Sequence, residues 1–177
     1  MNFYAGIGSR ETPGEVLDLM HALAVYLRAD GWVLRSGGAE GADVAFEQGA
    51  SQAKRIYLPW PEFNGSCSDL ERPEAWTFEV AAKHHPAWER LSQGGQKLQA
   101  RNVHQVLGHR GHHPNVPRHS EPDPSRFVIC WTKDGKASGG TGQAIRIAEA
   151  YGIEVRNLHN PETREASERW LRAKENG

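Results

Sequence analysis

With 177 residues, 38% of them hydrophobic and 24% charged, the chain has the size and make-up of one globular domain over 1–177, long enough to bury a core without disulfide or metal staples. A formal net charge of −1 and a pI near 6.8 exclude a surface that is one continuous nucleic-acid footprint, yet leave room for a local basic pocket holding one small anion. Cys67 and Cys130 share no CxxC spacing, no basic leader precedes a long apolar run, and no apolar stretch reaches about 18 residues. The expectation is a soluble, cytoplasmic protein with no disulfide framework, no thiolate metal centre and no membrane span.

Phe3 to Ile7 is a short apolar run that reads as a first buried strand, ending in a glycine-containing loop with Gly8, Ser9 and Arg10. Thr12, Pro13 and Glu15 have the spacing of a capping box, and Val16, Leu19, Met20, Leu23, Ala24 and Leu27 then recur at helical period up to Asp30 and Gly31. Trp32 to Arg35 reads as a second strand. It feeds Ser36, Gly37, Gly38 and Gly41 into a helix over Asp43 to Ala50. Ile56 to Leu58 makes a third strand, stopped by Pro59 and Pro61. Alternating strands and helices predict parallel pairing with right-handed crossovers.

Residues 60–95 carry a weaker pattern, with a helix expected over Glu74 to Lys83 and a turn or two over Ala87 to Leu91. A clearer helix follows from Gln96 to Leu107. Gly108 to Arg126 is crowded with Pro, His and Gly and must be a loop, long enough to suggest a functional one. Phe127 to Trp131 is a fourth strand, and a third glycine-rich turn, Gly139, Gly140, Thr141 and Gly142, opens a helix over Gln143 to Tyr151. A last strand, Ile153 to Asn157, and a helix from Pro161 to Lys174 complete an α/β fold: a Rossmann-like three-layer sandwich with a mostly parallel sheet of about five strands.

Three glycine-containing loops, each after a strand, would converge on the carboxyl edge of the sheet, where open α/β folds bind ligands. Helix N-termini there offer unpaired N–H groups and partial positive charge, and residues without Cβ admit an anion closely. None has the GxGxxG or GxxxxGK[ST] spacing, which disfavours ordinary NAD binding and ATP hydrolysis. In their order and intervals, GIGSR (Gly6 to Arg10), SGGAEGAD (Ser36 to Asp43), ARN (Ala100 to Asn102) and GGTGQA (Gly139 to Ala144) resemble the SLOG superfamily of Rossmann-like nucleotide-binding domains. The resemblance covers roughly residues 3 to 158 and is strongest to the YspA/YpsA-like branch. It extends more distantly to the DNA-processing protein A core and to the cytokinin-activating phosphoribohydrolases.

The resemblance implies a pocket for a nucleotide or nucleotide-derived ligand, lined by Gly8, Ser9, Arg10, Ser36, Gly37, Gly38, Gly41, Asp43, Arg101, Asn102, Gly139, Gly140, Thr141 and Gly142. It also implies hydrolysis of a nucleoside 5′-monophosphate N-glycosidic bond in some relatives, and a pocket completed across a homo-oligomer in others. No cofactor is implied. A guanidinium fork suits phosphate better than an ammonium, which favours Arg101 and Arg10. The phosphoribohydrolase pattern PGGxGTxEE is not kept: Ser138 replaces its proline, and Gln143 or Ile145 stands where an acid is expected. Cleavage needs a carboxylate, and Glu40, flanked by small residues, is the catalytic candidate, with Asp43 read instead as a helix cap. Two rival expectations are a non-catalytic protein that sequesters a nucleotide signal and a single-stranded DNA-binding module, the latter disfavoured by the balanced charge. His109, His112, His113 and His119 share one loop, with His104 five residues earlier on the preceding helix, a cluster of the kind that binds zinc or another transition metal, but without Cys or HExxH support it carries no metal assignment. Trp60, just after a strand, is a candidate for stacking on a base.

Overall fold

The computed structural model describes residues 1–109 and 123–176. Among these, five parallel strands run in the order β3-β2-β1-β4-β5, with β1 at Asn2–Gly6, β2 at Trp32–Ser36, β3 at Lys54–Ile56, β4 at Phe127–Cys130 and β5 at Glu154–Asn157. Six helices cover the sheet: α1 (Gly14–Ala29), α2 (Ala42–Ala50), α3 (Ala75–His84), α4 (Gln93–Leu107), α5 (Gly139–Ala150) and α6 (Pro161–Glu175). The expected three-layer, Rossmann-like sandwich is what forms. Alternation along the strands builds it, because successive side chains face opposite layers. Tyr4, Leu34, Phe127 and Ile129 join the buried faces of α1, α2 and α6. Ala5, Ile7, Val128 and Cys130 join those of α3, α4 and α5. The chain leaves β1 toward β2 and β3, then crosses back to β4, so the strand order reverses between β1 and β4 and opens a crevice at their carboxyl ends.

Several local expectations shift. Helix α1 begins at Gly14 without a side-chain cap, because Thr12 turns away to donate its hydroxyl to Ser9 O at 2.6 Å. The third strand lies at Lys54–Ile56, earlier than expected, since Leu58 N bonds outside the sheet to Leu70 O at 2.8 Å. Helices α4 and α5 both start three or four residues early and take glycines into their first turns: Ser92 caps α4 by accepting from Gly95 N at 3.2 Å, and Gly139 to Gly142 are themselves the first turn of α5. Gly142 has no room for a Cβ against the Ala137 carbonyl, so this turn is tightly folded onto the loop before it. Asp43 is not the cap of α2; Gly41, at φ 83°, occupies that position. Most of the loop expected over residues 108–126, with His112, His113 and His119, lies outside the described residues. No helix of the described residues is long and apolar enough to cross a membrane.

Candidate functional site

Helix α4 runs through the middle of one layer with every residue from Ala100 to Leu107 buried, yet four of these are Arg101, Asn102, His104 and Gln105. Polar side chains so placed need partners. Arg101, midway along α4, lies against the turn that follows β2. A Cβ at position 37 would collide with Arg101 Nη1 and lie 2.7 Å from Gln105 Nε2, so glycine there is what admits the guanidinium. Nη1 stands 3.6 Å from Asp43 Oδ2, with both side chains more than nine-tenths buried. That distance is an ion pair but too long for a hydrogen bond. Among the described residues, Nε and Nη1 of Arg101 have no hydrogen-bond partner.

Asp43 is held from the other side. Its Oδ2 accepts from Gly37 N at 3.1 Å and Ala39 N at 3.3 Å. The N–H groups of the glycine-rich turn therefore point inward at the protein's own carboxylate, which corrects the picture of this turn as an open anion cradle. Burial pushes the Asp43 carboxyl up to about 6, against the opposing pull of Arg101 and of the backbone donors. Burial likewise lowers Arg101, so the two groups together form a desolvated pair whose cationic member has unspent donors.

The neighbouring loops close on this pair. A Cβ on Gly8 would sit 2.5 Å from Ala42 Cβ, and one on Gly41 would sit 3.0 Å from Ser9 O and from Arg10 Cα, so the loops after β1 and β2 are packed backbone to backbone. Ser36 Oγ donates to Gly6 O at 2.6 Å, fixing the ends of β1 and β2 together. Gly38 takes φ 65°, and its carbonyl accepts from Asn64 Nδ2 at 3.2 Å. Asn102 Nδ2 donates to Gly140 O at 3.1 Å, tying α4 to the first turn of α5. At that turn Gly139 and Gly140 are exposed, with no atom within 4 Å of an added Cβ, and Thr141 is half-buried. The N-terminus of α5 is thus an open, positively polarised end tied to α4 through Asn102. Arg10 is exposed at the rim, next to Ser9, whose Oγ accepts from Glu11 N at 3.0 Å.

Glu40 is not part of this group. It is exposed and lines a groove of about 580 Å³ between α1 and α2, with Leu17, Asp18, His21, Val44 and Gln48. A second groove, of about 480 Å³ under α6, is lined by Leu23, Ile129 and Trp170 and is also remote from Arg101. Gln143, one of the two positions at which the sequence pattern led to the expectation of an acid, is fully buried and structural: its Nε2 donates to Ala81 O at 2.8 Å and its Oε1 accepts from Arg146 at 2.9 Å.

One turn further along α4 lies a second polar cluster, of which sequence reasoning had His104 and His109 but missed Arg35 and Glu74. Arg35 is 1% exposed in the middle of β2, lies 3.8 Å above the Phe3 ring, donates to Asp123 O and pairs with the Asp123 carboxylate at 3.7 Å. A charged residue inside a buried parallel strand was the signal. Beside it, His104 Nε2 accepts from Glu74 N at 3.1 Å, which leaves Nδ1–H to donate to Gly108 O at 2.8 Å. Glu74, His104 and His109 bring ligand atoms within 4.8 Å of one another. Both His104 nitrogens are already spent, so a metal there would have to break one of these bonds.

No family model matches the chain, and no curated protein matches it. Among solved structures it is similar to DNA processing protein A from Helicobacter pylori, whose single-stranded DNA binding mode was the subject of that structure. The TM-score is 0.56 with 16% identity, over 97% of this chain and 81% of the other. At that identity the likeness is one of fold.

Proposed function

We propose that the chain is a single SLOG-like domain whose carboxyl sheet edge binds the phosphate of a nucleotide or nucleotide-derived small molecule. One observation carries this reading: a buried guanidinium at Arg101 that, among the described residues, keeps hydrogen-bond donors without partners, followed in the chain by Asn102, which is tied to the open first turn of α5. A buried donor left unmade costs about 1–3 kcal/mol, a cost that a ligand phosphate would remove. Gly139, Gly140 and Thr141 would supply N–H donors to the same anion, Asn102 would hold their turn in place, and Gly37 would keep the space that the guanidinium needs. Gly8, Ser9, Gly38 and Gly41 shape the walls, and Arg10 adds positive charge at the rim.

Turnover is a separate claim. Were the bound nucleotide hydrolysed at its N-glycosidic bond, the carboxylate best placed for it is Asp43, not Glu40, because only Asp43 is beside Arg101. The test is calorimetric titration with nucleoside 5′-monophosphates, with chromatography for released base. Binding should be present in the wild type, weakened at least about tenfold in Arg101→Lys, and untouched in Glu40→Gln. Base release that survives in Asp43→Asn but not in Glu40→Gln would return the catalytic role to Glu40. Binding without release would support a sequestering protein.

A second reading is favoured by the shared fold with a protein that binds single-stranded DNA. The nucleic-acid partner therefore stands higher than the balanced charge alone suggests. A strand crossing this edge would present the same phosphate to Arg101, but its affinity would fall steeply with salt.

A further inference from the structure

Residues 57–66 follow β3 and bring a short aromatic segment to the same edge. Phe63 is half-buried with its ring centroid 5.8 Å from the Arg101 guanidinium carbon. Trp60 meets it edge to face at 5.2 Å with an interplanar angle of 87°. Both residues on either side of Phe63 adopt left-handed backbone, Glu62 at φ 56° and Asn64 at φ 51°. Among the described residues only Ser51 is another non-glycine with positive φ. Such conformations cost of order 1–3 kcal/mol and gather where a side chain must be aimed. Asn64 also ties this turn to Gly38 O, so the aromatic segment and the Arg101 turn are one unit. Phe63 packs in part against the core beneath it, yet both rings are only half-buried and keep surface in solvent beside the Arg101 turn.

We infer that Phe63 and Trp60 form a stacking subsite for a nucleobase, adjoining the phosphate anchor at Arg101, so that the site selects a nucleotide unit over a bare sugar phosphate. The inference rests on the phosphate reading above and assigns its ligand an aromatic ring. Stacking is tolerant of base identity, since every base offers a π face, and the subsite therefore fixes the class rather than the base. A free nucleotide and a nucleotide within a strand share this chemistry.

The experiment titrates the full chain with nucleoside 5′-monophosphates, ribose 5-phosphate and a short single-stranded oligonucleotide, using wild type, Phe63→Leu, Phe63→Tyr, Trp60→Leu and Arg101→Lys. The wild type should bind the nucleotide at least about tenfold more tightly than ribose 5-phosphate. Phe63→Leu should lose about that factor for the nucleotide and leave ribose 5-phosphate within about twofold, while Phe63→Tyr keeps wild-type affinity and so separates stacking from loss of fold. Arg101→Lys should weaken both ligands. Equal wild-type affinity for nucleotide and ribose 5-phosphate, or an unchanged nucleotide affinity in Phe63→Leu, overturns the stacking subsite and leaves the phosphate pocket standing. No binding of any of the three ligands overturns both. A loss in Phe63→Leu that extends to the oligonucleotide as well as the mononucleotide supports the subsite with the base also arriving in a strand.

Discussion

Asp43 and Arg101 show how two residues divide a site. Asp43 satisfies the inner N–H groups of the turn and neutralises Arg101, and in doing so leaves the guanidinium's remaining donors for something else. Replacing Asp43 by alanine strips two backbone donors and leaves a buried cation unpaired, so urea unfolding should show a loss of about 3–5 kcal/mol. Asp43→Asn keeps an acceptor for Gly37 N and Ala39 N and should lose markedly less; equal losses would mean that these two hydrogen bonds contribute nothing and that the lost charge accounts for the whole effect. Gly37→Ala puts a methyl where Arg101 Nη1 lies, and should cost about 1–3 kcal/mol by the same measurement while displacing the guanidinium and weakening phosphate binding. Gln143→Glu is a sharper case, because it places an acid at one of the two positions where the phosphoribohydrolase pattern would have it. Here the side chain is buried with its amide on Ala81 O, so the exchange sets oxygen against oxygen and should destabilise by about 1–3 kcal/mol without conferring base release.

At the scale of elements, α4 is the organising helix. Its Arg101 faces the turn after β2, and one turn on its His104 secures Glu74, just before α3, and Gly108. Burial holds the His104 ring down at about 4, well below its usual 6.5, with Glu74 favouring the charged form and His109 and Arg35 opposing it. Folding therefore favours the neutral ring: that stability is complete above pH 6.5 and is lost as pH falls from 6.5 toward 4. Asp43 works the other way, adding stability as pH falls through about 6. Comparing wild type with His104→Gln cancels the Asp43 contribution, and the stability difference between the two should shrink on acidification by at most about 3 kcal/mol. A pH-independent difference would remove His104 from the account. Helix α1, on the other face of the sheet, and the strands were legible because Val16, Leu19, Met20, Leu23 and Leu27 keep helical period and the strands are apolar runs. The glycines at α4 and α5 were read as loop because glycine is a weak helix former, whereas here the Ser92 cap and the close packing of Gly142 decide the matter. Residues 60–95 resisted reading because their order depends on contacts distant in sequence, such as Asn64 to Gly38 and Glu74 to His104.

For the whole molecule, the motifs named which loops meet but not which atoms face the ligand. Arg101, Asn102 and the three glycine segments do assemble at one sheet edge, yet the sequence could not tell that the Gly37 turn is filled by Asp43, or that Glu40 faces the α1–α2 groove. These are consequences of side-chain direction, which a motif does not encode. The central claim is that Arg101 anchors a ligand phosphate at this edge. Thermal melting of wild type and Arg101→Lys against a panel of mono-, di- and cyclic nucleotides tests it most directly, since a ligand that binds only the folded chain stabilises it by mass action whether or not it reacts. At about 100 times the dissociation constant, the matching nucleotide should raise the wild-type melting temperature by roughly 5–10 °C, and Arg101→Lys should lose most of that rise. A flat wild-type response to the whole panel, or an equal rise in both proteins, would contradict the account.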